Sequence, residues 1–531
     1  MKFPAVGPYA SHRSAVLADN VVTTSQPLAA QAGLSMLQRG GNAVDAALAA
    51  AIALTVVEPT GCGLGSDAFA MVWDGDRLHG LNASGRSPAG WDEAWLASHA
   101  TLPERGWDPV TVPGAVSAWS ALSERFGKLP FATLFEPAVT LCERGFAVSP
   151  IIAAAWAVGA ATLKEQPGFA DHFMPEGRTP LAGERFLNPD LGATLADIAA
   201  TGGESFYRGA LAERIAAAAG AHGAPLSEDD LASHACDWCG TISREFDGVS
   251  LHEIPPNGQG IAALMALGML EHTAIRDLGP DDPRGMHLAM EAMKLAFRDC
   301  DAFVADGPSM TPVGVDELLD DDYLAARAAL IDPLRAQDFG SGAPRRGGTV
   351  YLAAADAAGM MVSFIQSNYM GFGSGAVVPG TGIHLQNRGA GFTPIAGHPN
   401  APGPRKRPFH TIIPGFLMRG ADPLMAFGVM GGPMQAQGHL MMMLRTQLYG
   451  QDVQAAVDAP RWRVTAGLGV ACEASVPAAT RQALSDLGHD VVVEEPDAAF
   501  GFGGAQLVHR LEGGGYAGGS DPRKDGCAVG F

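Results

Sequence analysis

The segment Arg345-Arg346-Gly347-Gly348-Thr349-Val350-Tyr351 joins a basic, glycine-rich stretch to an apolar run that ends near Asp356. Threonine is a poor nucleophile inside a chain, but as the first residue of a chain it has a free α-amine that accepts its hydroxyl proton. Small residues before Thr349 let the Gly348–Thr349 bond distort, so that the threonine's own hydroxyl can attack it. The segment therefore predicts a cleavage site between Gly348 and Thr349, a nucleophile at Thr349 and a strand that begins there. The alternative is an ordinary threonine at the start of a strand.

The pattern of secondary structure differs on the two sides of Thr349. Near the N-terminus it predicts helices at Gln26 to Arg39 and, capped by Asn42, up to Val57, and paired strands at Ala68 to Trp73 and Leu78 to Asn82. From about Asp108 to Leu330 it predicts mainly helices, with alanine-rich segments at 115–124, 151–162, 208–221 and 260–272. Beyond a flexible loop at Phe339 to Pro344, it predicts strands at Thr349 to Ala355, Met360 to Gln366 and Ile412 to Met418. Strands between two layers of helices indicate an α/β fold.

The chain is acidic, with 531 residues and a net charge of −21. This charge predicts that neither nucleic acid nor an anionic membrane is a partner. Residues 1–8 lack the apolar core of a secretory signal, and the most apolar run, Ala46 to Val57, is too short to span a bilayer. We therefore expect a cytoplasmic protein.

Other motifs of reactive proteins are incomplete in this chain. The Cys236-Asp237-Trp238-Cys239 segment offers two ligands where a zinc site needs four, and the seven cysteines are irregularly spaced, so we expect reduced thiols. Glycine-rich runs at 61–65 and 371–375 raise the alternative of a nucleotide-binding oxidoreductase. Neither run lies in a clear strand–turn–helix unit followed by an acidic residue, and neither has a P-loop lysine. The nucleophile elbow of serine hydrolases and the His-Glu-x-x-His signature of zinc peptidases are absent.

A series of short motifs resembles, in order and spacing, the γ-glutamyltranspeptidase family of N-terminal nucleophile hydrolases. After Thr349 these motifs are Val362 to Gly375, Gly382 to Gly389, Arg407 to Thr411 and Gly428 to Gln435. Before Thr349 they are Gly40 to Ala47, Pro255 to Gly260 and Glu291 to Phe297. Because several unrelated motifs agree and span most of the chain, the resemblance is specific.

The resemblance implies a four-layer αββα sandwich made of two fragments. Residues 1–348 would form a large fragment, and residues 349–531 a small one that begins at the nucleophile. After self-cleavage the fragments would stay interlocked as a heterodimer, and further assembly into a homo-oligomer is left open. The chemistry implied, acyl transfer to and from a threonine, requires no metal and no organic cofactor.

Three further residues are catalytic candidates, because acyl transfer needs a positioned nucleophile and donors where negative charge develops. By the resemblance, Ser367 stands where the family carries a hydroxyl that orients the nucleophile. Gly431 and Gly432 match the glycines whose amides bind the oxyanion, and without a Cβ such amides approach the oxygen closely. The alternatives are a strand-end serine bonded to its own backbone and a plain turn.

The positions that hold a substrate carboxylate depart from the family pattern. The arginine that grips the α-carboxylate of γ-glutamyl groups is replaced by Ser84, with Arg86 two residues further on. The family's two serines become His410 and Thr411. We expect Arg86, His410 and Thr411 to contact substrate, since an arginine fork suits a carboxylate. A surface salt bridge for Arg86 and a buried structural role for His410 are the alternatives.

The positions that hold the α-amine depart as well. The family's asparagine, glutamine and aspartate align with Tyr369, Arg388 and Gly391. Losing an acid and gaining a cation disfavours an ammonium group at this place. We therefore expect Tyr369 and Arg388 to face a substrate group that is anionic or lacks the amine, with a solvent-facing Arg388 as the alternative.

These motifs imply a self-processing amidohydrolase or acyltransferase that cleaves a γ-glutamyl or related small anionic amide through a threonyl acyl-enzyme. The resemblance is greatest to the branch that contains oxamate amidohydrolase, and oxamate is a small anionic amide with no α-amine. An oxamate amidohydrolase or a cephalosporin-acylase-like hydrolase is therefore the alternative to a glutathione hydrolase. A catalytically dormant binding protein on the same fold is the alternative from a different class. It predicts loss of Thr349 or of Gly431-Gly432, and all three residues are present.

Overall fold

A computed structural model describes residues 12–99, 101–340, 348–494 and 501–531. Its strands are β1 Val16–Ala18, β2 Val21–Thr24, β3 Asp67–Trp73, β4 Leu78–Asn82, β5 Phe146–Ala147, β6 Arg185–Phe186, β7 Asp237–Trp238, β8 Ile242–Phe246, β9 Val249–Glu253, β10 Gly348–Ala355, β11 Met361–Tyr369, β12 Gly415–Arg419, β13 Asp422–Met430, β14 Trp462–Val464, β15 Gly469–Glu473, β16 Asp490–Glu494, β17 Gly504–Arg510, β18 Tyr516–Ser520 and β19 Cys527–Gly530.

The α-helices are α1 Pro27–Gln38, α2 Ala43–Val57, α3 Glu93–Ala97, α4 Ala115–Phe126, α5 Glu136–Arg144, α6 Pro150–Leu163, α7 Phe169–Phe173, α8 Pro189–Thr201, α9 Glu204–Arg208, α10 Ala210–Ala221, α11 Glu228–Ala232, α12 Gly260–Leu270, α13 Pro283–Phe303, α14 Val315–Leu318, α15 Asp321–Ala328, α16 Met434–Met443, α17 Val453–Asp458 and α18 Ala478–Asp486.

Two seven-stranded antiparallel sheets form the centre of the molecule. The first has the order β19-β2-β10-β11-β3-β4-β7 and the second the order β1-β18-β17-β13-β12-β9-β8. Each sheet combines strands from before and after Thr349: in the first, β10, β11 and β19 lie among β2, β3, β4 and β7. A cut before Thr349 would therefore give two fragments that share both sheets.

The alternation of side chains along the strands produces four layers. In β10, Val350 and Leu352 belong to a core shared with α2 and α4, whereas Tyr351 lies in a core between the two sheets. In β13, Phe427 belongs to a core shared with α12, α13 and α16, whereas Ala426 faces the first sheet. Because successive side chains of a strand point to opposite faces, each sheet is covered by helices on one side and by the other sheet on the other. The fold is the expected αββα sandwich.

Helix α2 is the central helix against the first sheet and is buried along its whole length. Its start is fixed by a capping box, in which the Asn42 side chain accepts from the Asp45 amide at 3.0 Å and the Asp45 carboxylate accepts from the Asn42 amide at 2.9 Å. Its end leads through residues 58–61 into the backbone that packs against Gly348 and Thr349. The helix therefore sets one wall of the region around the predicted cleavage site.

Most predicted elements are confirmed, and the exceptions have physical reasons. Helices α1 and α2, strands β3 and β4 and the four alanine-rich helices, α4, α6, α10 and α12, lie where the pattern predicts. The prediction of a mainly helical region up to Leu330 was incomplete, because β8 and β9 form a hairpin at the edge of the second sheet, where β8 is half-exposed and its apolar signal is weak. Strand β12 begins at Gly415 instead of Ile412. Residues 341–344 of the predicted loop, the basic residues 345 and 346, and Gly347 lie outside the described residues.

Two sequence expectations concern membrane-spanning helices and the state of the thiols. Throughout the described ranges, the structure has no helix that is both long enough and apolar enough to cross a membrane. All seven cysteines are free thiols. In the Cys236–Cys239 pair, Cys236 donates to the Ser117 hydroxyl at 3.1 Å and Cys239 to the Gly80 carbonyl at 3.7 Å, so each thiol has its own separate partner.

Candidate active site

Thr349 lies at the start of β10, beside an irregularity in strand pairing. Gly348 is opposite Tyr369, but Val350 is opposite Gln366, so β11 carries one extra residue here. Such a bulge changes the direction in which side chains of the bulged strand point. Thr349 is 1% exposed. At Gly348 a Cβ would come within 2.9 Å of the Thr60 carbonyl, so the backbone before Thr349 approaches a neighbour too closely for any larger residue.

A chain of hydrogen bonds joins the Thr349 hydroxyl to the peptide bond that precedes Thr349. The Thr349 hydroxyl donates to Ser367 Oγ at 3.1 Å, and Ser367 Oγ donates to the Gly348 carbonyl at 2.6 Å. The Tyr369 amide also donates to Ser367 Oγ, at 2.8 Å. With one proton to give and two lone pairs to offer, the Ser367 hydroxyl uses its whole capacity in these three bonds. Its proton is therefore directed at the Gly348 carbonyl oxygen.

The predicted oxyanion glycines form the turn between β13 and α16. Gly431 has a φ of 114° and Gly432 a φ of 61°, backbone conformations that favour glycine. In the described part of the chain, neither amide donates a hydrogen bond to another group. Gln435, in the first turn of α16, accepts from the Ile413 amide at 3.0 Å and donates to the Thr349 hydroxyl at 3.4 Å. The turn is thereby attached to Thr349, and Gln435 is a neighbour that sequence reasoning missed.

A second cluster surrounds Arg388, which is completely buried. Its Nη1 donates to the Thr411 hydroxyl at 2.9 Å, and its Cζ lies 4.6 Å from the centre of the Tyr369 ring. The Nε and Nη2 groups have no hydrogen-bond partner among the described residues. Tyr369 itself has a φ of 77°, an uncommon conformation for a non-glycine residue. It joins the two clusters, because its amide contacts Ser367 while its ring contacts Arg388.

Asp67 and His410 complete the second cluster. His410 Nε2 is 3.1 Å from Asp67 Oδ2, and both side chains are fully buried. The other oxygen, Oδ1, accepts from the Gly85 and Gly114 amides at 3.1 and 3.2 Å. Burial raises the pKa of the Asp67 carboxyl to about 7, although the positive charge of Arg388 opposes this rise. Burial also lowers the pKa of His410 well below its usual value, so its imidazole is neutral at neutral pH.

Sequence reasoning also missed Asp67, although a signal was present. Asp67 begins β3, whose other residues, Ala68 to Trp73, are all apolar, and an acid at the start of a buried strand requires a partner. In the sheet, Asp67 is opposite Ser367. Since β10, β11 and β3 are neighbours, Thr349, Ser367 and Asp67 lie on three consecutive strands.

Arg86 lies apart from these contacts. Its Nη1 pairs with Asp306 at 2.8 Å and donates to the Arg405 carbonyl at 3.3 Å, and its side chain is 41% exposed. Ser84, which aligns with the family's arginine, instead donates to the Asn82 side chain at 2.7 Å. The structure thus brings Tyr369, Arg388, His410 and Thr411 together and leaves Arg86 in an ion pair at the surface.

One group of potential metal ligands in the described ranges lies outside these two clusters. Atoms of His287, Glu291 and His489 lie within 4.8 Å of one another. Lys294 Nζ, however, donates to Glu291 at 2.8 Å and lies 3.5 Å from His489 Nδ1. Because a buried ammonium already pairs with these ligand atoms, we interpret the group as a structural ion pair that fixes the backbone of Gln337, whose amide donates to Glu291 at 3.0 Å.

Comparison with known proteins agrees with this geometry. The γ-glutamyltranspeptidase family model matches residues 29–531. The chain belongs to the γ-glutamyltranspeptidase family. The glutathione hydrolase-like YwrD proenzyme of Bacillus subtilis is 36% identical over 98% of this chain and 100% of its own length. The oxamate amidohydrolase proenzyme of Klebsiella pneumoniae is likewise 36% identical, over 98% of this chain and 100% of its own. The crystal structure of cephalosporin acylase from Bacillus halodurans is 45% identical and superposes with a TM-score of 0.94, covering 100% of this chain and 99% of its own.

As a member of the γ-glutamyltranspeptidase family, the chain is a self-processing enzyme that hydrolyses amides or transfers their acyl groups. The sequence predictions of the family and of the fold are confirmed. The relatives' names refer to glutathione, oxamate and cephalosporins. These names therefore do not agree on one substrate.

Proposed function

We propose that Thr349 is the nucleophile, first for cleavage of the Gly348–Thr349 bond and then for cleavage of a small anionic amide. The observation that carries this proposal is the hydrogen-bond chain from the Thr349 hydroxyl through Ser367 to the Gly348 carbonyl. An ordinary threonine hydroxyl is not joined by a hydrogen-bond chain to the carbonyl of the residue before it. The bonds arrange a proton acceptor and a proton donor on the two atoms that change charge during self-cleavage.

In self-cleavage, Thr349 Oγ1 attacks the Gly348 carbonyl carbon. Its proton passes to Ser367 Oγ, while Ser367 gives its own proton to the carbonyl oxygen. The C–N bond then breaks as the proton on the former carbonyl oxygen passes to the nitrogen, which frees the α-amine of Thr349 and leaves the Gly348 carbonyl as an ester on Thr349 Oγ1. Water hydrolyses this ester, which frees the Thr349 hydroxyl and produces the fragments 1–348 and 349–531.

In the mature enzyme the free amine is the general base. It takes the Thr349 hydroxyl proton as the oxygen attacks the substrate carbonyl, and it returns this proton to the leaving amine. The Gly431 and Gly432 amides donate to the oxyanion, a role that suits amides with no other acceptor. The acyl-enzyme passes to water or to an amine acceptor.

The substrate is a γ-glutamyl or related small anionic amide, held by residues of the second cluster. Tyr369, Arg388, His410 and Thr411 provide the contacts, and Arg86 takes part only if it leaves its ion pair with Asp306. A substrate like those of oxamate amidohydrolase or cephalosporin acylase fits better than glutathione, because a buried guanidinium stands where an ammonium would have to lie. The two fragments form the heterodimer, in which each sheet depends on both.

Intact mass spectrometry tests this proposal on the purified parent and on two variants, Thr349→Ala and Thr349→Ser. We expect two fragments in the parent, the smaller beginning at Thr349, and one uncut chain in Thr349→Ala. Thr349→Ser keeps a hydroxyl and should still be cut. Uncut chains in all three would overturn the proposal in favour of a dormant binding protein on the same fold, and cleavage of Thr349→Ala would exclude Thr349 as the nucleophile.

A further inference from the structure

Arg388 presents one edge of its guanidinium without a partner. Nε and Nη2 lie on the same edge of the planar group, and together they match the two oxygens of a carboxylate. Both lack a hydrogen-bond partner among the described residues, and the side chain is 0% exposed. Buried donors are normally paired, so an unpaired edge of this kind is costly unless a ligand uses it.

The remaining contacts of Arg388 hold the guanidinium in place. Nη1 is bound to Thr411, and the Tyr369 ring lies 4.6 Å from Cζ. Tyr369 is also hydrogen-bonded through its amide to Ser367, which touches Thr349. Tyr369 therefore links Arg388, with its unpaired edge, to the hydrogen-bond chain that contains Ser367 and Thr349.

Among the described residues, the acid whose charge acts on Arg388 is the buried Asp67, and the titratable hydroxyl of Tyr369 also acts on it. The other charged or titratable groups near Asp67 are His410, which is hydrogen-bonded to it, Arg407, and the hydroxyl of Tyr207. Arg407 already pairs with Asp237, and Tyr207 donates to the Pro113 carbonyl at 2.8 Å. A carboxylate bound to Arg388 would place two anions beside one cation in a buried site, an arrangement that favours protonation of one acid.

We propose that the substrate carboxylate binds Nε and Nη2 of Arg388, and that the Asp67–His410 pair accepts one proton as it binds. The proton comes from solvent and leaves again with the acid product. Arg388, not Arg86, is the residue that determines specificity for a carboxylate. An α-ammonium next to that carboxylate lowers affinity, because it would lie beside the guanidinium. This inference rests on the proposed function, since it identifies the substrate class of the same site.

Ammonia release from matched small amides tests the carboxylate. The amides are oxamate, succinamate and glutaramate, which differ in chain length, with glutaramide as the neutral control and glutamine as the control that adds an α-ammonium to glutaramate. We expect at least one of the three carboxylates to be cleaved at least about 100-fold more efficiently, in kcat/KM, than glutaramide, and glutaramate to exceed glutamine. Equal rates for charged and neutral amides would overturn the inference.

Variants then separate the two arginines. Arg388→Met should raise KM for the preferred carboxylate by about 100-fold, with a smaller change in kcat, and Arg388→Lys should restore part of the loss. The exposed Arg419→Met is the matched control and should behave as the parent. A larger effect from Arg86→Met than from Arg388→Met would assign the carboxylate to Arg86 and overturn the inference. Each variant is checked by intact mass, because self-cleavage shows that the core has folded.

Proton uptake by the Asp67–His410 pair is tested by the pH dependence of kcat/KM for the preferred carboxylate, measured in the parent and in Asp67→Asn. In the parent, kcat/KM should fall relative to the variant by about tenfold for each pH unit above about 7, since the pair must regain its proton. Parallel profiles would refute proton uptake. If Asp67→Asn fails to self-cleave, the ratio between the carboxylate and its methyl ester in the parent gives the same information, because steps shared by both substrates cancel.

Failure of this inference differs from failure of the proposed function. A parent that is cut at Thr349 and releases ammonia equally from neutral and anionic amides keeps the function and loses the inference. A parent that is never cut, or that cleaves no amide, loses both.

Discussion

Replacing Ser367 by alanine should slow self-cleavage by at least about 100-fold. The variant loses the donor that is 2.6 Å from the Gly348 carbonyl oxygen and the acceptor that is 3.1 Å from the Thr349 hydroxyl. Removing one donor from a developing oxyanion costs about 2.7–4 kcal/mol, or about 100- to 1000-fold in rate. Loss of the acceptor for the proton adds to this effect. The buried Tyr369 amide also loses its partner, which lowers stability by about 1–3 kcal/mol.

The assay follows the appearance of the 349–531 fragment after cell-free synthesis, so that cleavage is timed from the completed chain. Ser367→Thr keeps the hydroxyl and is the matched control, which should cleave much faster than Ser367→Ala. Thermal unfolding of both variants separates slow cleavage from misfolding. Cleavage of Ser367→Ala at the parent's rate would refute the proton path, whatever its stability.

Three further changes test other parts of the structure. Gly431→Ala forces a side chain onto a φ of 114°, a strain of about 1–3 kcal/mol, so amide hydrolysis measured as ammonia release should fall. Gly431→Asn should lose less activity, because asparagine tolerates positive φ better. Equal activity of Gly431→Ala and the parent would contradict this. Asp521→Asn removes the buried acid that pairs with Arg461 and leaves Arg523 with Glu473 as its remaining acidic partner; it should lower the free energy of unfolding by about 3–5 kcal/mol, read from denaturant unfolding, and an unchanged midpoint would show that the ion pairs of Asp521 contribute little. The pKa of Asp67 is raised by folding, from 3.8 to about 7, so the stability this acid contributes is present at low pH and is lost as the pH rises through about 7. Between pH 5 and pH 8 the parent should therefore lose more stability than Asp67→Asn, and equal losses would contradict the buried, protonated acid.

Much of the fold was predictable because its signals are local. The Asn42 cap, the breaks at glycine pairs and the continuous apolar runs of β3 and β10 act over a few residues, and the structure has those elements in place. Strand β8 was missed because it lies at the edge of the second sheet, where it is half-exposed and its apolar signal is weak. Strand β9 alternates buried and partly buried residues, but it is short, and besides β8 it pairs with β12, which lies far away in the sequence.

The residues of the candidate site also divide into those predicted from local motifs and those that depend on tertiary contacts. Thr349, Ser367 and the Gly431-Gly432 turn were predicted from motifs, and the structure places Ser367 and Gln435 against Thr349. Asp67 was missed, because its role arises only where β3 pairs with β11 and brings it opposite Ser367. No spacing in the chain predicts that pairing.

By itself, the sequence determined the family, the sandwich fold and the residue expected to react, because a threonine after glycines carries its chemistry in its position along the chain. Only the tertiary structure distinguishes the environments of the two arginines. Arg86 and Arg388 have the same charge in the sequence, but one is 41% exposed and paired with Asp306, while the other is buried with an unpaired edge. Burial removes water from a charge and makes its remaining partners decisive, and burial is a property of the folded chain.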